Sequence, residues 1–281
     1  MLKQRILTAI VMLLLLIPSV LAADPLGFVV LTAVFIGAGG WEWGRLNGLS
    51  HRTSLASAVV CAGLCGVFWV TGLVARPLSS LWIVVGAAWV GLALWLLRAG
   101  AAAWLPKPLA LRWGGGLIFL CAAWLALVQA RLAGIDFLLS LLLLVWVADV
   151  AAYFAGRAMG GRFFRRKLAP SISPGKTWEG VAGAVLGVLC MAFAWRALDL
   201  AGFTPGGSLY SRLASVGTTF LVISVVFLTA MGVVGDLLES MFKRAAGVKD
   251  SGVILPGHGG VLDRIDALLP VLPLALLLCT M

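Results

Sequence analysis

Charge is scarce in this chain of 281 residues. Asp, Glu, Lys and Arg make up 11% of it, hydrophobic residues 62%, and the mean hydropathy is +1.09. No soluble core could enclose so much apolar surface, which excludes a soluble globular domain. Histidine is scarcer still, at two residues, and the five cysteines (Cys61, Cys65, Cys121, Cys190, Cys279) lie in apolar runs without metal-ligand or redox spacing. The cysteines therefore read as small hydrophobes, not as zinc ligands or a redox pair. Two-residue alternation of polar and apolar positions is missing too. That excludes a transmembrane barrel and leaves helices as the only spanning element. Neither an internal repeat nor a low-complexity tract is present.

What the chain has in abundance is apolar runs long enough to cross the roughly 30 Å of membrane hydrocarbon. They predict an all-α, polytopic integral membrane protein with nine transmembrane helices: Ile6–Ala22, Leu26–Trp41, Leu55–Ala75, Leu81–Leu97, Trp113–Ala130, Ile135–Phe154, Trp178–Ala197, Leu213–Val234 and Ile265–Cys279. The first 23 residues also have the outline of a secretory signal, with Lys3 and Arg5 before the apolar stretch and "SVLAAD" after it. The topology needs them as a retained helix.

Basic residues set the orientation. With a cytoplasmic N-terminus, 17 of the 21 Lys and Arg fall on the inside and only Arg76, Arg131, Arg196 and Arg212 outside. The C-terminus is then outside. Because the formal charge of +10 is carried between spans, it points to anionic lipid headgroups or phosphorylated substrates and away from nucleic acid. Residues 1–130, about five spans, carry few ionisable groups. Residues 131–281 contain two long cytoplasmic loops, 156–177 and 235–264, and any chemistry is expected there.

Three stretches stand out. In "GDLLESMFKR", Asp236, Glu239, Ser240 and Lys243 follow i, i+3, i+4, i+7 spacing, so a helix continuing out of the membrane presents them on one stripe. In "LPGHGGVLDRID", a Gly-rich turn around His258 precedes Asp263, Arg264 and Asp266, the two aspartates sharing a face of the next helix's first turn. Helix capping accounts for one aspartate but does not require the His-Gly-Gly before it. Asp236, Asp263 and Asp266 would thus meet at one membrane face as hard oxygen ligands, suited to magnesium better than zinc. Lys243, Arg244, Lys249 and Arg264 surround them, an arrangement fit for phosphoryl or nucleotidyl transfer.

The third stretch, "GRFFRRKLAPSISPGKTWEG", contains "SPGKT". A Walker phosphate loop is excluded, since Pro170 stands where its first glycine belongs and no strand precedes it. It remains a basic segment that delivers Lys176, Ser171, Ser173 and Thr177 to an anion, either a nucleotide or an acidic lipid held by Arg162, Arg165, Arg166 and Lys167. Asp149 is a functional candidate as a carboxylate within a span. Glu42, one turn from Arg45, reads as half of an interfacial ion pair.

These residues carry a resemblance. "SMFKRAAGVKDSGVILPGHGGVLDRID", Ser240 to Asp266, is similar to the signature of the phosphatidate cytidylyltransferases, and "KLAPSISPGKTWEG", Lys167 to Gly180, to that family's second characteristic loop. The motifs span about 150 C-terminal residues. The resemblance implies a magnesium-dependent reaction of CTP with phosphatidic acid that yields CDP-diacylglycerol and pyrophosphate. It further implies Asp236, Asp263 and Asp266 as metal ligands, with Lys243 and Arg264 also catalytic. Lys167, Ser173, Lys176, Arg244, Lys249, His258 and Asp149 would bind substrate, and Arg165 or Lys167 would meet the lipid phosphate. A homodimer in the cell inner membrane, its active site facing the cytoplasm, is also expected. The chain departs from the family pattern at Val150, where a serine or threonine usually follows the aspartate. Rival readings are a CTP-dependent transferase acting on another lipid, and a transporter of an anionic phosphorylated solute, which would place charge near the bilayer midplane in two pseudo-symmetric halves.

Overall fold

The structure, a computed structural model, describes residues 2–164, 166–204 and 206–280, without the side chains of Leu2, Lys3 and Ala101. Its elements are α1 (Leu2–Leu21), α2 (Leu26–Leu46), α3 (His51–Val70), α4 (Ser79–Ala99), α5 (Leu109–Ala133), α6 (Ile135–Met159), α7 (Trp178–Leu200), α8 (Leu209–Val216), α9 (Thr218–Ala245), α10 (Leu262–Ile265) and α11 (Leu268–Leu278). All-helical architecture follows from the apolar runs: in hydrocarbon every backbone N–H and C=O must be satisfied within its own segment. Among the described residues there is no strand, only two isolated bridges, Ala169 to Ser173 and Leu255 to Gly259, each closing a turn in one of the two long loops.

Eight helices, α1 to α7 and α9, are long and apolar enough to cross a membrane. The ninth apolar run is realised differently. Ile265 ends α10 and residues 266–267 are spent on the turn out of it, so α11 has 11 residues and a length of about 17 Å, short of the hydrocarbon thickness. It is buried from Pro270 to Leu276 and packs between α4, α5 and α9 as a core element. The eighth run also shifts. Gly217, at φ 153°, separates the short α8 from α9, which then runs 28 residues, about 42 Å, to Ala245. That overshoot carries the Asp236 to Lys243 stripe on helix, as its spacing predicts.

Small residues bring helices of the second half together. On α7, a Cβ at Gly183 would collide with Ala155 of α6, and one at Gly187 would lie 2.7 Å from the Ala151 Cβ. The two backbones therefore touch, as membrane helices with small interfacial residues do. The buried indoles of Trp124 and Trp82 donate to Thr32 Oγ1 (3.0 Å) and Gln129 Oε1 (3.2 Å), knitting the N-terminal helices to one another. Cys61, Cys65 and Cys121 are free and buried, whereas Cys190 faces outward from α7.

Polarity concentrates at one end of the bundle. Only Asp24, Asp136 and Asp199 of the eleven acids sit towards the other end, where Asp136 accepts from the Gly206 N–H (3.1 Å) and Asp199 from the Ser208 N–H (3.2 Å). Those two tie down the turns between α7 and α8 and leave the remaining acids for the site.

Candidate active site

A cavity of about 610 Å³ opens between α6, α7 and α9, its wall apolar except for a cluster of polar and charged side chains. Asp149 of α6, Asp236 of α9 and Lys176, just before α7, line it together with Tyr153, Arg157 and Thr177. Lys176 Nζ lies 2.5 Å from Asp236 Oδ2, and Ser240 Oγ donates to Asp236 Oδ1 (3.3 Å) one turn on. Local chemistry explains why Lys176 points there. The Ser173 N–H donates to the Ala169 carbonyl (2.9 Å) and the Leu168 N–H to the Lys176 carbonyl (3.1 Å), folding Leu168 to Lys176 back on itself. The Thr177 hydroxyl then accepts from the Gly180 N–H (3.1 Å) and starts α7 at the next residue.

Glu179, in the first turn of α7, accepts from the N–H groups of Gly161, Phe163 and Phe164 (3.0, 3.1 and 3.0 Å). It is buried and fixes the start of the loop as Thr177 fixes its end. Sequence reasoning passed over Glu179. Its signal was an acid at the first turn of an apolar helix, too ordinary a feature to separate from a helix-end charge.

The signature segment is built around a residue from the other half of the chain. Glu42 of α2 is fully buried, and its carboxylate accepts from the N–H of Val261 (3.0 Å), the N–H of Leu262 (2.9 Å) and the Ser251 hydroxyl (3.0 Å). The carboxylate also occupies the space a side chain would need at residue 260: a Cβ there would lie 2.6 Å from either Glu42 oxygen. The expected pair between Glu42 and Arg45 does not form; Arg45 is exposed and sits over the Trp41 ring. Burial decides this, because a carboxylate removed from water needs several donors and the loop's free N–H groups supply them.

Asp263 belongs to the same knot. Its Oδ2 accepts from the Ser251 N–H (3.0 Å) and the Gly260 N–H (2.8 Å) and shares with Glu42 the single proton of the Ser251 hydroxyl, 3.0 Å from each, and its Oδ1 meets Lys243 Nζ at 2.5 Å. Burial alone would raise this carboxyl, but the Lys243 ammonium and the Gly260 N–H outweigh it and hold it at about 2. Lys243 is shared with Glu239, the next acid back on α9. Asp266 accepts from the Ala267 N–H (2.8 Å) and stands near both Asp236 and Asp149; burial, then the Asp236 charge, push its carboxyl above the usual range.

The sequence-predicted residues thus divide. Asp149, Asp236 and Lys176 share the cavity, with Asp266 close behind. Asp263 and Lys243 are engaged in the loop knot. Arg264 is exposed and donates to the His258 carbonyl (3.1 Å), while His258 Nδ1 is buried without a partner among the described residues. Lys167 turns to the Pro174 carbonyl (2.6 Å) and Arg244 to the Val248 carbonyl (3.4 Å). Lys249 is exposed, Ser173 half-buried in its turn, and Arg165 lies outside the described residues.

No group of three or more acidic, His or Cys side chains is arranged to cage a metal ion among the described residues. Magnesium does not require one. It keeps most of its waters and is ordinarily held by one or two carboxylates together with substrate phosphates. Asp149 and Asp236, hard oxygen donors that line the same cavity from α6 and α9 with Asp266 near both, fit that demand; Asp263, its oxygens already taken by four donors, fits it less well.

A model of the cytidylyltransferase family matches residues 3–281. The chain is 36% identical over 283 residues to a phosphatidate cytidylyltransferase of Pseudomonas aeruginosa, covering 97% of this chain and 95% of that one. It is 34% identical over 300 residues to that of Haemophilus influenzae, covering 97% and 96%. With the Staphylococcus saprophyticus protein of the same name, identity is 41% over 148 residues, about half of each chain.

Proposed function

The chain belongs to the cytidylyltransferase family, and we propose that the cavity between α6, α7 and α9 is where it transfers the cytidylyl group of CTP to phosphatidic acid, giving CDP-diacylglycerol and pyrophosphate. One observation carries the assignment of the cavity: Asp149, Asp236 and Lys176, contributed by three different segments, line the same 610 Å³ space. Such a space suits a nucleotide triphosphate brought beside a lipid headgroup.

Magnesium would be held by Asp236 and Asp149, with Asp266 adding negative charge from behind. When bound it offsets charge on the triphosphate and on the departing pyrophosphate. The lipid phosphate is already an anion at neutral pH and attacks the α-phosphorus in line, so no strong general base is needed. Lys176 can turn from Asp236 to a phosphate oxygen and stabilise charge there. Arg157, which donates to the Tyr153 hydroxyl (2.8 Å) on the same wall, offers a second cation. Lys243 and Asp263 hold the signature loop, and with it Asp266, in register. Orientation and electrostatics then supply most of the rate.

The charge asymmetry of the loops supports a cytoplasm-facing site in the cell inner membrane, and the family resemblance supports a homodimer. The reaction is tested with purified protein, CTP and a panel of lipid acceptors. EDTA should abolish turnover and added magnesium restore it. Asp236→Asn should lower kcat by about 10²-fold or more, and Lys176→Ala should raise the KM for CTP several-fold. Normal turnover in chelator, or by Asp236→Asn, would overturn this reading of the cavity.

A further inference from the structure

A second cavity, of about 490 Å³, lies on the opposite side of α9, between α2, α4 and α5. Its wall is almost wholly apolar, with Trp43, Trp89, Trp104, Phe119 and Phe242 supplying much of it. Gly91 of α4 and Gly115 of α5 face it, and a Cβ at either meets nothing within 4 Å. This is room left open, in contrast to the packed glycines of the α6 and α7 contact. An empty cavity of this size would forfeit the dispersion contacts of every side chain around it.

The mouth is basic. Lys107 lines the cavity with its ammonium 4.9 Å from the centre of the Trp95 ring, and it has no acidic partner among the described residues. Arg112 donates to the Lys107 carbonyl (3.2 Å) and brings a second cation alongside. This mouth is at the same end of the bundle as the active site, since Trp104, five residues after the end of α4, packs on Phe242 of α9 with ring centres 4.6 Å apart.

Between the two cavities α9 packs closely on the start of α11: a Cβ at Gly235 would lie 2.5 Å from the Asp266 carbonyl oxygen and 3.0 Å from the Pro270 ring. An occupant of the apolar cavity thus has this contact between it and Asp236.

We propose that this cavity binds one acyl chain of an anionic glycerophospholipid that is not the reacting lipid, its phosphate held between Lys107 and Arg112. Hydrocarbon gains little by moving from bilayer to an apolar cavity, because lipid tails are as apolar as the wall. Selectivity must come from the headgroup, and a juxtamembrane lysine favours an anionic one. The bound chain passes Phe242 near the mouth and runs along Leu238 and Leu262, at the back of the signature segment, with its end towards Gly91 and Gly115.

The test uses the full-length protein in phosphatidylcholine nanodiscs doped with a phosphatidylglycerol that carries a diazirine at the end of one acyl chain. After irradiation, labelled peptides are identified by mass spectrometry. Labelling is expected on α4 and α5 around Gly91 and Gly115, and excess phosphatidic acid, itself an anionic glycerophospholipid, should compete no better than the same excess of unlabelled phosphatidylglycerol. It should weaken with Gly115→Ala and disappear with Gly115→Leu and Gly91→Leu, each checked for monodisperse elution and unchanged helical circular dichroism. Lys107→Ala should reduce it about fivefold. A diazirine phosphatidylcholine should label these positions weakly. Equal labelling by both lipids, label spread only over the outer surface, or label insensitive to the Gly115 series would overturn the proposal. Displacement by phosphatidic acid at far lower concentration than by phosphatidylglycerol would also overturn it, by making the cavity part of the substrate site.

Discussion

Glu42 acts on residues more than two hundred positions away. Its side chain is the acceptor around which Ser251, Val261 and Leu262 arrange themselves. Glu42→Gln keeps the shape but sets an amide donor against backbone donors, leaving at least one buried N–H unpaired. The expected result is a fall of about 10²-fold in kcat/KM from a misplaced site, with little change in helical content and faster hydrogen exchange confined to residues 251–262. Parent-like exchange and turnover together would refute the anchoring role. Asp263 makes a second residue-level case. Its carboxyl, held at about 2, lies below the unfolded value of about 3.9, so its contribution to stability is complete above that value and is lost as pH falls towards 2. Exchange protection of the Ser251 and Gly260 amides should stay flat from pH 7 to about 5 and then collapse between about 4 and 2. A loss near neutral pH would mean that another group holds the loop.

Element geometry decides where these residues meet. The stripe spacing from Asp236 to Lys243 was readable because a helical period is local, and α9 does carry it through to Ala245. The shortness of α11 was not readable: "RIDALLPVLPLALLLC" is apolar almost from its start, and only the tertiary demand that Asp266 stand beside Gly235 converts its first residues into a turn. That contact yields a further prediction. Gly235→Ala forces α9 away from the Asp266 carbonyl, and overpacking of this kind costs about 1 to 3 kcal/mol. Turnover should fall at least tenfold while the protein still elutes as folded, with a higher magnesium concentration needed for half-maximal rate. An unchanged magnesium dependence would show that the α9 to α11 spacing does not set the site.

For the whole molecule, the division into residues 1–130 and 131–281 follows charge and motif content, yet the site does not respect it. The recognisable motifs all lie in the second part; the carboxylate that shapes one of them lies in the first. A chain of residues 131–281 expressed alone should therefore be inactive even if it inserts, and co-expression with residues 1–130 should restore measurable turnover of CTP. Full activity from the second part alone would remove Glu42 from any role in the site.

Composition and period alone determined that the chain spans a membrane and does so with helices, and they set the expected chemistry at one end, around Asp236, Asp263 and Asp266, because hydrophobic length and helical spacing are properties of short windows. Tertiary structure alone decided that Asp263 and Lys243 hold a loop, that Glu42 and Glu179 are its templates, and that the ninth run is a buried plug. Those outcomes depend on which buried donor finds which acceptor across the fold, and a carboxylate's partners are not written in its neighbours.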